Sequence, residues 1–365
     1  MSKIASISTA LPAYRHDQTN ILSFMQKVYA LNETDKRKLG FLYHQSGISN
    51  RYSAIPDYSL DPEGWVFYPP TEDLDPFPSI ELRMQWFERT APDLSIGAIE
   101  KCILDKISKD EITHLITVSC TGMSAPGLDL QILERMHLSV NTFRTSVNFM
   151  GCYAAIHGLK MADAFCKSDK KAKVMIVCTE LCTLHFQKEN TMDNLASSLL
   201  FGDGSAAVLV VHDECSLEGL HIKNFYSEVA FGGKKHMSWQ LSSTGFLMTL
   251  SGYVPELIEH DFGHLLTKAL ENGEVSFNEI THWCIHPGGK RILSSISKSA
   301  GIAKEKLGSS YKVLNDYGNM SSPTILFVLK EIMDTFEEGN PMEKNIFGAA
   351  FGPGLTMETF LLSDK

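Results

Sequence analysis

Cys152 stands in the run Asn148-Phe-Met-Gly-Cys152-Tyr-Ala-Ala, directly after a glycine and ahead of an amphipathic stretch, so it is expected to open a helix. Backbone N–H groups and the positive end of a helix favour the thiolate, the form of cysteine that attacks carbon. A cysteine in apolar surroundings is more often a small buried hydrophobe, which suits Cys102, Cys166 and Cys284; the turn-to-helix position sets Cys152 apart. His286 ends an apolar strand pattern and precedes Pro287-Gly288-Gly289, where two glycines would let a ligand approach the backbone. Asn319 follows Gly318 at an expected helix start, where capping is its ordinary role. Singly, the last two read as structural. Together the three supply a nucleophile, a proton carrier and a neutral amide donor, each at the end of an element.

A Cys-His pair implies acyl transfer: the thiolate attacks a thioester, and the imidazole serves the tetrahedral intermediate. The asparagine separates simple transfer from condensation. Its N–H, with that of the histidine, can donate to the enolate oxygen formed when a malonyl thioester loses CO2, and the resulting carbanion attacks the acyl-cysteine. Decarboxylation makes the carbanion, so the step needs no base and no metal, and a dry pocket keeps water from quenching it.

The elements that must position these residues show an internal duplication. Glu111-Ile-Thr-His114 recurs as Glu279-Ile-Thr-His282, each after a helical pattern and before an apolar strand. Asn148-x-x-Gly-Cys152 is echoed by Asn315-x-x-Gly-Asn319, each ahead of a helix and then an apolar strand. Glu111 lies 41 positions before Cys152, and Glu279 lies 40 before Asn319, so the two halves carry almost no relative insertions. Alternating strands and helices predict an α/β fold. Two related halves, 1–215 with Cys152 and 216–365 with His286 and Asn319, would bring the three residues to a shared seam.

A length of 365 residues with 44% hydrophobic content suffices for such a double core. The net charge of −10 argues against nucleic acid as a partner. Eight scattered cysteines without a C-x-x-C pair indicate a reduced compartment, and no stretch reaches membrane-spanning length, so a cytoplasmic protein without membrane insertion is expected. Cys178-x-x-x-Cys182-x-x-His185 falls partly in a strand that would separate the side chains, so no metal is expected.

The motifs Phe149-Met-Gly-Cys152-Tyr-Ala-Ala, Leu200-Phe201-Gly-Asp-Gly204, Ile285-His286-Pro-Gly-Gly289, Tyr317-Gly-Asn319-Met-Ser-Ser322 and Phe351-Gly-Pro-Gly-Leu355 resemble the thiolase superfamily. More closely, they resemble the type III polyketide synthases, the chalcone-synthase-like family. The resemblance spans nearly the whole chain and implies a thiolase-like αβαβα layered fold of two duplicated halves. It implies Cys152, His286 and Asn319 as the catalytic triad, with acyl-CoA and malonyl-CoA as substrates and no cofactor. The products implied are of pyrone, resorcinol or phloroglucinol type, and the assembly implied is a homodimer. Plant members reach into the partner's cavity with a methionine at the position that is Ala125 here.

By the same resemblance Phe201 is an aromatic gate and Met248 stands where a second, usually aromatic, gate residue is found. Cys120, Cys182 and His185 occupy cavity positions that often carry threonine, and Trp239 one that is often small. Glu180, Ser321 and the Gly352-Pro353-Gly354 loop complete the implied cavity wall. A bulky Trp239 would shorten one arm while Cys120 and Cys182 open another, so an aliphatic starter fits at least as well as a phenolic one. Lys38, Gly289 and Arg291 match the coenzyme A contacts, although Phe41 and Gln45 replace basic residues. The rival readings are a priming ketoacyl synthase, a non-catalytic thiolase-fold partner subunit and a cysteine hydrolase. The first usually carries Ala-Asn after its histidine rather than Pro-Gly-Gly.

Overall fold

The structure, a computed structural model, describes residues 1–29, 31–336 and 343–365. Among these, nine strands form one sheet in the order His282–Ile285, Asn345–Gly352, Thr356–Ser363, Leu220–Val229, Ser2–Ala10, Asp203–His212, Lys173–Leu181, His114–Ser119, Phe143–Asn148. The halves of the sheet meet where Ser2, Lys3 and Ile4 pair with Ile222, His221 and Leu220. Outward from that join both sides run antiparallel, antiparallel, then parallel. The first half adds one more parallel strand, Phe143–Asn148.

Both faces of the sheet are covered, and the strand sequences are accordingly apolar at successive positions rather than alternating with polar ones. In Asp203–His212, Ala206, Val208 and Val210 enter the central core, while Ala207, Leu209 and Val211 enter an outer one. The two-residue strand period sends neighbours to opposite faces. The central core also holds the helices Ala154–Ser168 and Thr324–Met333, one from each half. Helix Ile80–Ile103 covers the outer face of the first half. Val254–Asn272 and Lys290–Ala300 cover that of the second. The result is the five-layered αβαβα arrangement of the thiolase-like fold. Each fully buried Val, Leu or Ile in these cores contributes roughly 1.5–3 kcal/mol.

The repeated Glu-Ile-Thr-His sequence has a local cause. Ser108 with Glu111, and Ser276 with Glu279, each form a capping box, the glutamate accepting from the serine N–H at 2.8 and 2.7 Å. The threonine hydroxyl then accepts from the first N–H of the neighbouring strand, Thr113 from Lys173 at 2.8 Å and Thr281 from Asn345 at 2.9 Å. The motif is thus a device that ends a turn and registers two parallel strands, used once in each half.

The halves differ ahead of the site. The strand Phe143–Asn148 leads into Cys152, whereas a helix, Gly308–Tyr317, leads into Asn319.

Candidate active site

Cys152 lies in the turn between strand Phe143–Asn148 and helix Ala154–Ser168, two residues before the helix begins. Gly151 has φ +86°, and a Cβ there would stand 2.4 Å from Cδ of Pro353. Glycine is therefore required for the Gly352-Pro353-Gly354 loop of the second half to press against the nucleophile's turn. The N–H of Gly151 donates to Cys120 Sγ at 3.0 Å, which fixes the turn from the other side.

Asn319 is held in extended backbone rather than at a helix start, because the following helix begins only at Thr324. Its N–H donates to the Leu200 carbonyl and its carbonyl accepts from the Gly202 N–H, both at 2.9 Å, forming a bridge across Phe201. The side-chain oxygen of Asn319 accepts from the Ser321 N–H at 2.7 Å. With the oxygen so occupied, the amide nitrogen turns to Cys152 Sγ, 4.0 Å away.

His286 extends the ladder of strand His282–Ile285 by donating its N–H to the Ala349 carbonyl at 2.8 Å. Its ring is buried, and neither ring nitrogen has a partner among the described residues. Buried polar atoms in folded proteins are normally paired, so an imidazole bare at both nitrogens fits a site that awaits a ligand.

Burial dominates the electrostatics. It pushes the Cys152 thiol up to about 11; hydrogen bonds from Ser321 and Asn319 act against it and the nearby Glu180 charge adds to it. Burial takes His286 down to about 3. Burial thus acts against the helix end expected to favour a thiolate, and it favours the neutral form of both groups.

Cys152, His286 and Asn319 line a single cavity together with Phe201, Met248, Cys120, Cys182, His185, Trp239, Ser321 and Pro353. One wall is fixed. His185 Nε2 donates to the Thr121 carbonyl at 2.7 Å, its Nδ1 accepts from the Phe246 N–H at 3.1 Å, and its ring stacks on Phe246 with centroids 4.3 Å apart. Trp239 Nε1 donates to the Cys120 carbonyl at 2.7 Å.

Glu180 stands behind the wall. It accepts from the Cys120 N–H at 2.9 Å and from the hydroxyls of Thr121 and Ser322, each at 2.7 Å, and burial raises its pKa. Gly352 and Gly354 flank Pro353 without lining the cavity themselves. Lys38, Gly289 and Arg291 also lie outside the lining; Lys38 pairs with Asp35 at 2.9 Å and Arg291 with Glu256 at 2.7 Å. The cavity further includes Ile21, Met25 and Phe246, which the motifs did not indicate. Ile21 and Met25 are four apart on one helix face, a pattern that marks core as readily as cavity. Among the described residues, no group of three or more His, Cys, Asp or Glu side chains could hold a metal ion.

Several known proteins share this arrangement of chain. The chain is 28% identical to a putative chalcone synthase of Bacillus subtilis (strain 168), covering 100% of this chain and 99% of that one. It is 28% identical to type III polyketide synthase C of Arabidopsis thaliana, over 98% of this chain and 94% of the relative. The crystal structure of PKS-I from the brown alga Ectocarpus siliculosus superposes with a TM-score of 0.93 at 27% identity, covering 99% and 97% of the two chains. The C-terminal type III polyketide synthase domain of Steely1 from Dictyostelium gives 0.90 at 25% identity, covering 99% and 98%. Such enzymes act on coenzyme A thioesters without a cofactor. Residues 1–214 match the N-terminal domain of chalcone and stilbene synthases and residues 222–364 the C-terminal domain, so the chain belongs to the type III polyketide synthase family.

Proposed function

We propose that this chain is an acyltransferase that loads an acyl group from acyl-CoA onto Cys152 and extends it by iterative decarboxylative condensation with malonyl-CoA. The thiol of Cys152 gives its proton to His286 as sulfur attacks the thioester carbonyl; the C–S bond to coenzyme A breaks, and the coenzyme A thiolate takes that proton. Malonyl-CoA then loses CO2, with Asn319 Nδ2 and His286 donating to the enolate oxygen. The carbanion attacks the acyl-cysteine, the Cys152 sulfur leaves as a thiolate that takes up a proton from solvent, and the chain is now a β-ketoacyl-CoA that can reload. Repeated cycles and ring closure would give a product of pyrone, resorcinol or phloroglucinol type.

The observation that carries this reading is the aim of Asn319. Its oxygen is pinned by Ser321, so a donor faces the sulfur. A hydrolase could use the same donor for its tetrahedral oxyanion, so dependence of turnover on malonyl-CoA separates the two readings.

The fixed wall of His185, Phe246 and Trp239, in a cavity also lined by flexible Met25, Met237 and Met248, supports an aliphatic starter over a phenolic one. A homodimer is supported by the edge strand Phe143–Asn148, which among the described residues has a partner on one side only, with Phe143 69% exposed and neighbouring Val140 93% exposed. All eight cysteines are free, which supports a reducing, cytoplasmic setting for a thiol nucleophile, and no helix among the described residues is long and apolar enough to cross a membrane.

The test is intact-protein mass spectrometry with a panel of acyl-CoA starters, with and without malonyl-CoA. The expected result is an acyl adduct lost in Cys152→Ala, and CO2 release that requires malonyl-CoA. An enzyme that gains no adduct and releases no CO2 would instead be a binding subunit.

A further inference from the structure

Helix Met192–Leu200 ends on three successive carbonyls, and each takes a donor from a different part of the chain. The Leu199 carbonyl accepts from Gln18 Nε2 at 2.8 Å, the Leu200 carbonyl from the Asn319 N–H at 2.9 Å, and the Phe201 carbonyl from Arg51 Nη1 at 2.7 Å. Arg51 Nε in turn donates to Gln18 Oε1 at 2.9 Å, so the two side chains form one clamp. The stem of Arg51 also reaches the second half of the chain, since a Cβ on Gly318 would stand 2.9 Å from Arg51 Cγ.

Arg51 is only 3% exposed, and its hydrogen bonds go to Gln18 and Phe201 rather than to a carboxylate. A buried cation is costly unless something compensates it. The carbonyl end of a helix, with its unsatisfied acceptors and negative partial charge, and the nearby buried Asp203 offset part of that cost here, while Nη2 has no partner among the described residues. The strip of backbone that Arg51 and Gln18 hold is the one on which Asn319 hangs, through the Leu200 carbonyl and the Gly202 N–H.

We propose that Arg51, locked by Gln18, is a positioning residue for the condensation step: it fixes the Leu199 to Gly202 strip that aims Asn319 at Cys152. The inference rests on the function proposed above for Asn319. Lysine keeps the charge but lacks the fork that spans two acceptors.

The test measures two steps separately in Arg51→Lys and in Gln18→Met, the second keeping the proposal testable should the first fold poorly. Cys152 loading is followed by mass spectrometry, and malonyl-CoA decarboxylation is expressed per acylated site so that any unfolded fraction drops out. In Arg51→Lys, kcat for CO2 release should fall about tenfold with the malonyl-CoA KM within about twofold, as a misaimed group predicts, while loading changes less than about twofold. Gln18→Met, which leaves the Phe201 bond, should lose about threefold in the same step. Parallel loss of loading and CO2 release, or wild-type release per acylated site in both variants, would overturn the proposal. Failure of the wild-type chain to load or to release CO2 would sink the proposed function itself, and the same experiment reads that first.

Discussion

Asn319 Nδ2 lies 4.0 Å from Cys152 Sγ, across 167 positions of sequence and across the join between the two halves. The contact is long for a strong hydrogen bond, and its value is direction: with the side-chain oxygen taken by the Ser321 N–H, the amide donor is the end turned toward the sulfur.

Replacing Asn319 by alanine should therefore separate the two chemical steps. Loading of Cys152 is expected to fall less than about tenfold, whereas CO2 release from malonyl-CoA should fall by roughly 10²–10³, the usual loss for one oxyanion donor. Mass spectrometry of the acyl-enzyme and a labelled-malonyl-CoA assay read these independently. Equal loss in both would place the asparagine in the loading step.

Ser321 should tune the nucleophile. Its hydroxyl lowers the Cys152 pKa against the upward push of burial. In Ser321→Ala the thiol pKa rises further, so loading at pH 7.5 should slow by about threefold, in keeping with the loss of one hydrogen bond. The rising limb of the loading rate against pH should move in the alkaline direction. A profile that stays in place would show that the hydroxyl does not bear on the sulfur.

The parts of this site that could be read from sequence are those with a repeated local cause. Glu111 and Glu279 make the same capping box and Thr113 and Thr281 the same strand contact, so the duplication was written in four residues. What lay beyond sequence depends on tertiary contact. Asn319 looked like a helix cap because nothing local shows that Leu200 and Gly202 would pull it into a bridge and delay the helix to Thr324. Cys152 looked activated because a helix end is visible in sequence and desolvation is not. Lys38 and Arg291 carry the charge expected at coenzyme A phosphates, and their exposed pairs with Asp35 and Glu256 are weak enough to yield to a phosphate, a balance that sequence does not show.

Gly318 should tolerate no side chain. Its φ is +68°, and a Cβ would stand 2.8 Å from the Leu200 carbonyl oxygen and 2.9 Å from Arg51 Cγ. Gly318→Ala is expected to cost roughly 2–4 kcal/mol of stability, from unfavourable backbone conformation plus overlap. Because the residue precedes Asn319, folded protein should also lose CO2 release more than it loses Cys152 loading. Denaturant titration gives the first quantity and the per-site assay the second.

His185 gives a pH dependence of stability whose sign can be worked out. Burial lowers its pKa from 6.5 to about 3 in the folded protein. Between those values the unfolded chain binds a proton that the folded one refuses, so the contribution is fully present above pH 6.5 and is lost as pH falls toward 3. From pH 7 to pH 5 the loss is about 2 kcal/mol, taking 1.36 kcal/mol per unit over roughly 1.5 units. Other groups titrate in the same window, Asp203 among them with its pKa raised to about 6, which acts in the opposite direction. The clean measurement is therefore a difference between two proteins. A glutamine at 185 can donate to the Thr121 carbonyl and accept from the Phe246 N–H as the imidazole does, without taking up a proton. Urea titrations of wild type and His185→Gln at pH 7 and pH 5 should show the acid-induced loss smaller in the variant by about 2 kcal/mol. Equal losses in the two would mean that the ring is protonated at pH 5 without cost, and the wall it forms with Phe246 and Trp239 would then be looser than these hydrogen bonds describe.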